Sequence, residues 1–299
     1  MIHDLSQLVE KAKSGPVKKI AVAAAEDLNL LSALKRAVDD GIVQPVLVGK
    51  KEEIERLAHS IGFDLSTIQI INNPESPFSS AQQAVLSVRL GDADLLMKGA
   101  VSTGELLKAV LDKEHGLRKS QVLSHVAFHQ SPYYHKLLCV TDVAMNIAPD
   151  LETKVHILNN AVEACRRIGI AMPKVAVVAA VETVNPKMEA TVHARQLKEM
   201  NERKEIIGCI VDGPLAIDLA VSKQAAVHKG VESEVAGDCD IILAPDIEAG
   251  NMFYKALNFL GGAQSAAVIM GATAPIVLTS RSDDENSKFL SIVLAAAMA

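Results

Sequence analysis

The sequence predicts an α/β protein built from successive βα units. Short runs rich in Val, Ile and Ala alternate with segments whose apolar residues recur every three or four positions, the patterns of strands and amphipathic helices. Of the 299 residues, 49% are hydrophobic, yet only 3% are aromatic and none is Trp. The core must therefore be aliphatic, which suits parallel strands covered by helices on both faces.

Each predicted element is bounded by polar or turn-forming residues. Leu28, Leu31, Leu34 and Val38 are spaced about one helical turn apart, and a long helix is predicted from 150 to 169. Four glycines, namely Gly62, Gly91, Gly116 and Gly169, are expected to end helices with a positive φ. The predicted strands are Lys19–Ala24, Pro45–Val48, Ile68–Ile71, Asp94–Met97, Val122–Phe128, Lys136–Thr141, Lys174–Ala180, Ile206–Val211, Asp240–Ala244, Ala266–Met270 and Pro275–Leu278.

Charge and composition exclude several classes of function. A net charge of −6 disfavours nucleic acid, and the few aromatic residues disfavour ligands that stack on rings. The start of the chain has no apolar signal segment, and no run of 18 apolar residues occurs. The four cysteines are far apart in sequence, as expected for free thiols in a reducing compartment. We therefore expect a cytoplasmic protein without a membrane partner.

Polar segments follow four of the predicted strands. In open parallel sheets, ligands bind beyond the carboxyl ends of the strands, so these four loops predict one composite site. The segments are Lys98–Gly104, Asp212–Leu215, Pro245–Asn251 and Thr279–Asp284.

The segment Lys98–Gly104 has the composition of a phosphate-binding loop. A strand leads into small residues, and Ser102-Thr103-Gly104-Glu105 then opens a helix with the Ser-x-x-Glu capping pattern. Free backbone N–H groups, two hydroxyls and Lys98 are expected there, which favours an anion. The alternative is a well-capped helix beside a surface lysine.

Other polar residues allow both a structural and a functional interpretation. Ser280 and Arg281 precede the last predicted helix, where Arg can bind an oxyanion with two hydrogen bonds and Ser can cap. Asn251 is predicted to begin a helix, and Lys255 to be a solvated charge on it. His125 and His129 lie on one face of a single strand without a nearby third ligand, so they do not predict a metal site.

The familiar nucleotide, hydrolase and protease motifs are absent from the sequence. It contains no GxGxxG, GxxxxGK[ST], GxSxG or HExxH pattern. The sequence therefore lacks the motifs that usually indicate a Rossmann-type dehydrogenase, a P-loop kinase, a serine hydrolase or a zinc protease.

Taken together, the polar segments resemble those of the phosphate acetyltransferase/butyryltransferase family. The matching stretches include Asp94–Thr103, Val211–Leu215, Val235–Gly237 and Asp240–Lys255, which contains Pro-Asp-x-x-Ala-Gly-Asn-x-x-Tyr-Lys, followed by Ser280-Arg281. They occur in the family's order from about residue 90 onward. Lys98–Thr103 and Leu123–Phe128 are most similar to the butyryltransferase branch.

This resemblance implies a fold and a domain organisation. The fold would be an isopropylmalate-dehydrogenase-like pair of α/β domains, with parallel or mixed sheets flanked by helices and the active site in the cleft between domains. Residues 1–142 with 272–299 would form the first domain, and 143–271 the second.

The same resemblance implies an activity. A butanoyl or branched C4–C5 acyl group would pass between coenzyme A and inorganic phosphate by direct displacement in a ternary complex. No permanently bound cofactor or metal is implied, because acyl-CoA is a substrate. A homo-oligomer, dimer or higher, and functional coupling to an acyl-phosphate kinase are also implied.

Site residues follow from the resemblance position by position. Arg281 would stabilise the phosphate or the oxyanion, and Ser280 would orient the thiol. The aspartate proposed as base in acetyl-specific relatives falls on Ser287, so Asp283 and Asp284 are the candidates for that role. Substrate-binding residues would be Lys98, Ser102, Thr103, Asp246, Asn251 and Lys255.

Three alternative functions stay open at this point. A phosphate acetyltransferase would differ in its preferred acyl chain. A dehydrogenase related to isopropylmalate or hydroxythreonine-phosphate enzymes would bind NAD and a divalent metal through Asp240 and Asp246. An acyl-CoA sensor would bind ligand without catalysis.

Overall fold

The computed structural model describes residues 2–279 and 284–299. The helices are α1 (Leu5–Ser14), α2 (Leu28–Asp39), α3 (Lys51–Ser60), α4 (Pro77–Arg89), α5 (Thr103–Val110), α6 (Leu151–Arg167), α7 (Glu189–Glu202), α8 (Ile217–Val221), α9 (Lys223–His228), α10 (Ile247–Phe259) and α11 (Glu285–Met298). The strands are β1 (Lys18–Ala23), β2 (Val43–Gly49), β3 (Gln69–Asn72), β4 (Leu95–Lys98), β5 (Ser124–Gln130), β6 (Leu138–Thr141), β7 (Lys174–Val178), β8 (Ile210–Leu215), β9 (Ile241–Leu243), β10 (Gln264–Met270) and β11 (Ile276–Val277).

The chain divides into two compact units. The N-terminal unit consists of Ser6–Gln121 and Ala266–Ala299, and the middle unit consists of the chain before Ser6 and Val122–Ser265. The C-terminal segment from Ala266 onward thus belongs to the N-terminal unit. Strands β5 and β6 belong to the middle unit, where β6 pairs with β9 and α6 packs against β5.

The N-terminal unit contains a mixed sheet in the order β3-β2-β1-β4-β11-β10. All neighbouring pairs are parallel except β10 and β11, which are antiparallel. Helix α11 is buried on nearly all sides and packs against α2 and β11. Because β1, β4 and β11 are adjacent and parallel, the loops that follow them meet at one edge of the sheet.

The middle unit contains a second set of strands in the order β5-β6-β9-β7-β8. Strands β6, β9, β7 and β8 are parallel, and β5 is antiparallel to β6. Helices α6, α10 and α7 follow β6, β9 and β7. The α/β class with mixed sheets and flanking helices is therefore confirmed.

The largest error in the predicted strands concerns β8. We predicted a strand over Ile206–Val211 with Asp212–Leu215 as the loop after it, but the strand spans Ile210–Leu215. The end position of β8 in the sheet tolerates Pro214, which cannot donate to a neighbour. Gly213 is required because a Cβ atom there would lie 2.7 Å from the carbonyl oxygen of Val177. Asp212–Leu215 is thus not one of the ligand-binding loops.

Three of the four helix-ending glycines have the predicted conformation. The φ angles of Gly62, Gly91 and Gly169 are +62°, +80° and +105°. Gly116 is different, because it is not in the left-handed region, and a Cβ atom there would overlap the carbonyl oxygens of Val110 and Asp112. Close packing of the backbone, not a positive φ, explains that glycine.

Within residues 2–279 and 284–299, no helix is both long enough and apolar enough to span a bilayer.

Candidate active site

Lys98 lies at the carboxyl end of β4 in the N-terminal unit. Only 7% of its surface is exposed, and its Nζ donates to the carbonyl oxygens of Gly99 and Val101, both at 3.2 Å. The alternative of a surface lysine is therefore wrong. A buried ammonium group is costly unless polar groups surround it, and here the carbonyls of its own loop supply two of them.

The loop after β4 is fixed by the loop after β1. The N–H groups of Gly99 and Ala100 donate to the carbonyl oxygens of Ala23 and Ala24, at 2.9 and 2.6 Å. A Cβ atom at Gly99 would overlap the carbonyl oxygen of Ala24, a non-glycine residue with φ of +55°. The Lys-Gly-Ala sequence therefore permits a backbone approach that presents Lys98 at this edge.

The predicted capping box at the start of α5 is confirmed. The Ser102 hydroxyl donates to Glu105 Oε2 at 2.6 Å and accepts the N–H of Glu105 at 3.2 Å. The hydrogen bonds that the Glu105 carboxylate accepts from the Ser102 hydroxyl and, at 3.2 Å, from the Ser102 N–H lower the pKa of Glu105. Thr103 is the first residue of α5. The hydroxyl proton of Ser102 is thus used in the cap, and a substrate contact by Ser102 or Thr103 stays a prediction.

The chain leaves β11 at the same edge as Lys98. Val277 of β11 pairs with Met97 of β4, and Thr279 is buried two residues farther on. The predicted catalytic residues Ser280, Arg281 and Asp283 lie outside the described residues. Within the described residues, the carboxyl ends of β4 and β11 are neighbours.

Asp284 is the N-cap of α11. Its Oδ1 accepts the N–H of Ser287 at 2.7 Å, and this bond lowers the pKa of the exposed carboxyl group. Efficient general bases have a pKa near the working pH. The geometry therefore gives Asp284 a capping role and makes it a weak base.

In the middle unit, the Pro-Asp-x-x-Ala-Gly-Asn segment contacts the loop after β6. Asp246 is the N-cap of α10 and accepts the N–H of Ala249 at 2.8 Å. Asn251 lies in the second turn of α10 instead of beginning it, and its amide donates to the carbonyl oxygen of Val143 at 2.9 Å. Lys255 lies exposed one turn farther along. Asp246 and Asn251 thus have structural partners, and Lys255 is available to solvent.

Asp142 organises the same loop and was not identified from the sequence. It is 3% exposed and accepts the N–H groups of His125, Ala144 and Met145, at 3.3, 2.9 and 3.1 Å. The Asn146 amide also donates to it. An aspartate directly after a buried strand was the available signal, but no motif distinguished it from other loop acids.

A second buried lysine was also missed. Lys154 in α6 is 3% exposed, and its Nζ lies 3.0 Å from Nδ1 of His193 in α7. No sequence pattern indicated this burial. The helix was predicted from apolar residues that include Leu151, Val155 and Leu158, and a lysine between such residues ordinarily faces solvent.

The metal interpretation of His125 and His129 is not supported. His129 Nδ1 lies 3.1 Å from Oδ1 of Asn258, and burial lowers the pKa of His129 to about 4. Asp240 and Asp246 flank the two ends of β9, about 10 Å of strand apart, so they do not converge. Within the described part of the chain, no group of three or more His, Cys, Asp or Glu residues could hold a metal ion.

Comparisons with known proteins identify the family of the chain. The profile of the family described as "Phosphate acetyl/butaryl transferase" matches residues 4–82 and 79–296. The chain is 45% identical to a phosphate butyryltransferase of Clostridium acetobutylicum over 100% of this chain and 99% of the relative. It is also 45% identical to a phosphate acetyltransferase of Thermotoga maritima, over 99% of each protein.

A solved structure shares both sequence and fold with the chain. A branched-chain phosphotransacylase from Enterococcus faecalis V583 is 33% identical, with a TM-score of 0.82 over 94% of this chain and 99% of that protein. The resemblance found in the motifs is confirmed by these matches along the full length. The chain belongs to the phosphate acetyl/butyryl transferase family, and it is an acyltransferase enzyme.

Proposed function

We propose that this enzyme transfers a butanoyl or branched C4–C5 acyl group between coenzyme A and inorganic phosphate. The reaction is butanoyl-CoA plus phosphate giving butanoyl phosphate plus coenzyme A. The observation that carries the proposal is the buried Lys98 at the carboxyl edge of β4, beside the end of β11. A fixed cation and the N-terminus of α5 favour an anionic substrate at this place.

The chemistry would be direct displacement in a ternary complex. In the direction of thiol attack, the sulfur of coenzyme A bonds to the acyl carbon, and the C–O bond to phosphate breaks. Phosphate leaves with the electron pair, and the thiol proton passes to a base. Arg281 would stabilise the oxyanion or the phosphate, Ser280 would orient the thiol, and Lys98 would neutralise the phosphate.

The capping geometry of α11 bears on the choice between the two candidate bases, Asp283 and Asp284. Asp284 accepts the N–H of Ser287, and its lowered pKa weakens its affinity for a proton. Of the two candidates, Asp283 is therefore favoured. Ser287 occupies the position at which the family aspartate is expected.

A preference for acetyl groups is the second candidate. The Thermotoga maritima relative named a phosphate acetyltransferase is as similar as the named butyryltransferase of Clostridium acetobutylicum. Apolar pockets discriminate weakly between acyl groups that differ by one or two methylenes. A measured chain-length profile distinguishes the two candidates.

The dehydrogenase alternative is not supported by the comparisons, and Asp240 has another role. It forms an ion pair with Lys136 at 2.7 Å and accepts the N–H of Lys174 at 2.8 Å. Other parts of the proposal rest on the family resemblance alone. They are a homo-oligomer, coupling to an acyl-phosphate kinase, and an isopropylmalate-dehydrogenase-like arrangement with an interdomain site.

The test measures phosphate-dependent release of free thiol from acetyl-, butanoyl-, isobutanoyl- and isovaleryl-CoA. We expect a maximum at C4–C5 acyl groups. Arg281→Ala and Lys98→Met are expected to lower kcat/KM at least about 100-fold, because each removes a charged group that stabilises the transition state.

Lys51→Met is the matched control, because Lys51 is an exposed lysine on α3 that contacts Glu55 at 3.7 Å. It should retain the activity of the wild type. Absence of phosphate-dependent release from all four thioesters would refute the proposal. A maximum at acetyl-CoA would favour the acetyltransferase.

A further inference from the structure

A polar cavity lies at the amino edge of the sheet in the N-terminal unit. Its volume is about 410 Å³, and its walls come from the end of α4, the residues before β4, the turn after α5 and the residues before β11. All the lining residues belong to this unit. Asp94 lines the cavity directly before β4, whereas Lys98 ends that strand about 13 Å away, because a strand rises about 3.3 Å per residue. The cavity is therefore separate from the candidate active site.

Three cationic side chains line this cavity, those of Arg89, Lys113 and Arg118. The Arg89 guanidinium is held at the wall because its Nη1 donates to the carbonyl oxygen of Gly116 at 2.8 Å. Lys113 and Arg118 are exposed, and within residues 2–279 and 284–299 neither forms an ion pair. Like charges around one cavity repel each other, so a bound anion relieves this repulsion.

The backbone that carries Arg118 is pinned to the turn between β10 and β11. The N–H of Thr273 donates to the carbonyl oxygen of Leu117 at 2.8 Å. Arg118 itself forms an antiparallel bridge with Ala272. A site whose backbone is already in place loses less conformational freedom when a ligand binds.

Two carboxylates also line the cavity, and both accept hydrogen bonds from the backbone. Asp94 Oδ2 accepts the N–H of Lys19 at 2.8 Å. Asp112 Oδ1 accepts the N–H groups of His115 and Glu114, at 2.7 and 2.9 Å. These donors partly offset the two negative charges, so the cavity favours an anion.

We propose that this cavity is an anion site distinct from the candidate active site, and that it binds the diphosphate group of a small molecule through Arg89, Lys113 and Arg118. Guanidinium groups offer paired N–H donors to phosphate oxygens, and the lysine adds a compact charge. The exposed Thr273 provides a hydroxyl at the rim. Cations on three separate segments suit two linked phosphates, because each phosphate can contact a cation of its own.

This inference does not rest on the proposed acyl transfer, because no lining residue belongs to the candidate active site. Two sources can supply a diphosphate group, namely free pyrophosphate and a nucleoside diphosphate. Calorimetric titrations of the full chain with inorganic pyrophosphate and with ADP distinguish them, because tighter binding of ADP would identify the nucleotide as the ligand.

The double variant Lys113→Met/Arg118→Met tests the site, since both side chains are exposed and their loss should not disturb folding. We expect the Kd of the tighter ligand to rise at least about tenfold, because hydrogen bonds to charged groups are removed. The matched control is Lys51→Met/Arg56→Met, which removes the same charges from exposed positions on α3. It should bind as the wild type does. Equal Kd values for the two double variants, or no binding of either ligand to the wild type, would overturn the inference.

Acyl-transfer kinetics provide a second measurement. The phosphate KM of Lys113→Met/Arg118→Met should stay within about twofold of the wild type, because the cavity and Lys98 lie at opposite ends of β4. A phosphate KM that rises as much as the diphosphate Kd would place these cations in the substrate site and overturn the inference. A wild type without phosphate-dependent activity would instead refute the proposed function, and the titrations would still decide the anion site.

Discussion

At the scale of single residues, three buried polar side chains have polar partners. Lys98 donates to two carbonyls, Lys154 faces His193, and His129 faces Asn258. Asn258 donates in turn to the Ser265 hydroxyl at 3.1 Å, so its Oδ1 accepts the Nδ1–H of His129. His129 is therefore neutral in the folded protein, because its Nε2 is buried and has, among the described residues, no hydrogen-bond partner that could accept a second proton.

This state of His129 predicts a pH dependence of stability. Burial holds its pKa at about 4, below the ordinary 6.5, so only the unfolded chain binds a proton in between. Stability should fall as the pH drops from 6.5 to 4, by at most about 3 kcal/mol from this group, and level off below pH 4.

His129→Gln removes the titrating group while retaining an amide in its place. Denaturant unfolding between pH 4 and 7 should show a shallower pH slope for this variant than for the wild type. Parallel curves for the two proteins would show that His129 is not buried in its neutral form.

At the scale of elements, helix starts and close backbone contacts determine where the loops lie. Helix α10 packs so closely on the loop after β6 that a Cβ atom at Gly250 would overlap the carbonyl oxygen of Asp142. One residue on, Asn251 donates to Val143 of that loop. The glycine and the asparagine of the motif thus fix the carboxyl end of β6.

Gly250→Ala should lower the free energy of unfolding by about 1–3 kcal/mol, because the added methyl group forces α10 away from the loop. Gly104→Ala in α5 is the matched control, since no atom lies within 4 Å of its added Cβ. That control should be neutral or stabilising by up to about 1 kcal/mol. Equal stabilities of the two variants in denaturant unfolding would contradict this packing.

Elements that depend only on neighbouring residues could be predicted from the sequence. The capping box at Ser102 is local, so four residues sufficed to find it. The position of β8 depends on pairing with β7 and on the tolerance of an end strand for Pro214, which no local pattern contains. Asn251 was predicted to begin α10, but Asp246 provides the cap.

The sequence could not show which of the candidate polar side chains are buried. Lys98 was recognised by its position after a strand, but its burial follows from the interlocked loops at Gly99 and Ala24. Lys154 and His193 are 39 residues apart and meet only because α6 and α7 start at the same edge. Such contacts between helices are set by the strand order.

At the scale of the whole molecule, ion pairs and polar loops lie at opposite ends of the strands in the middle unit. In the middle unit, the amino ends of β6, β7 and β9 are joined by ion pairs of Lys136 and Lys174 with Asp238 and Asp240. The carboxyl ends instead lead to the loop with Asp142 and to Asp246, the N-cap of α10. In the N-terminal unit, the carboxyl ends of β4 and β11 are adjacent, with Lys98 at the end of β4 and the buried Thr279 two residues after β11.

Identification of the reaction products tests the proposed acyl transfer to phosphate most directly. The enzyme is mixed with butanoyl-CoA and inorganic phosphate, acyl phosphate is followed by ³¹P NMR, and free thiol is measured in the same sample. We expect butanoyl phosphate and free coenzyme A to be formed in equal amounts. Free thiol without acyl phosphate would indicate hydrolysis and contradict the account, as would the absence of both products.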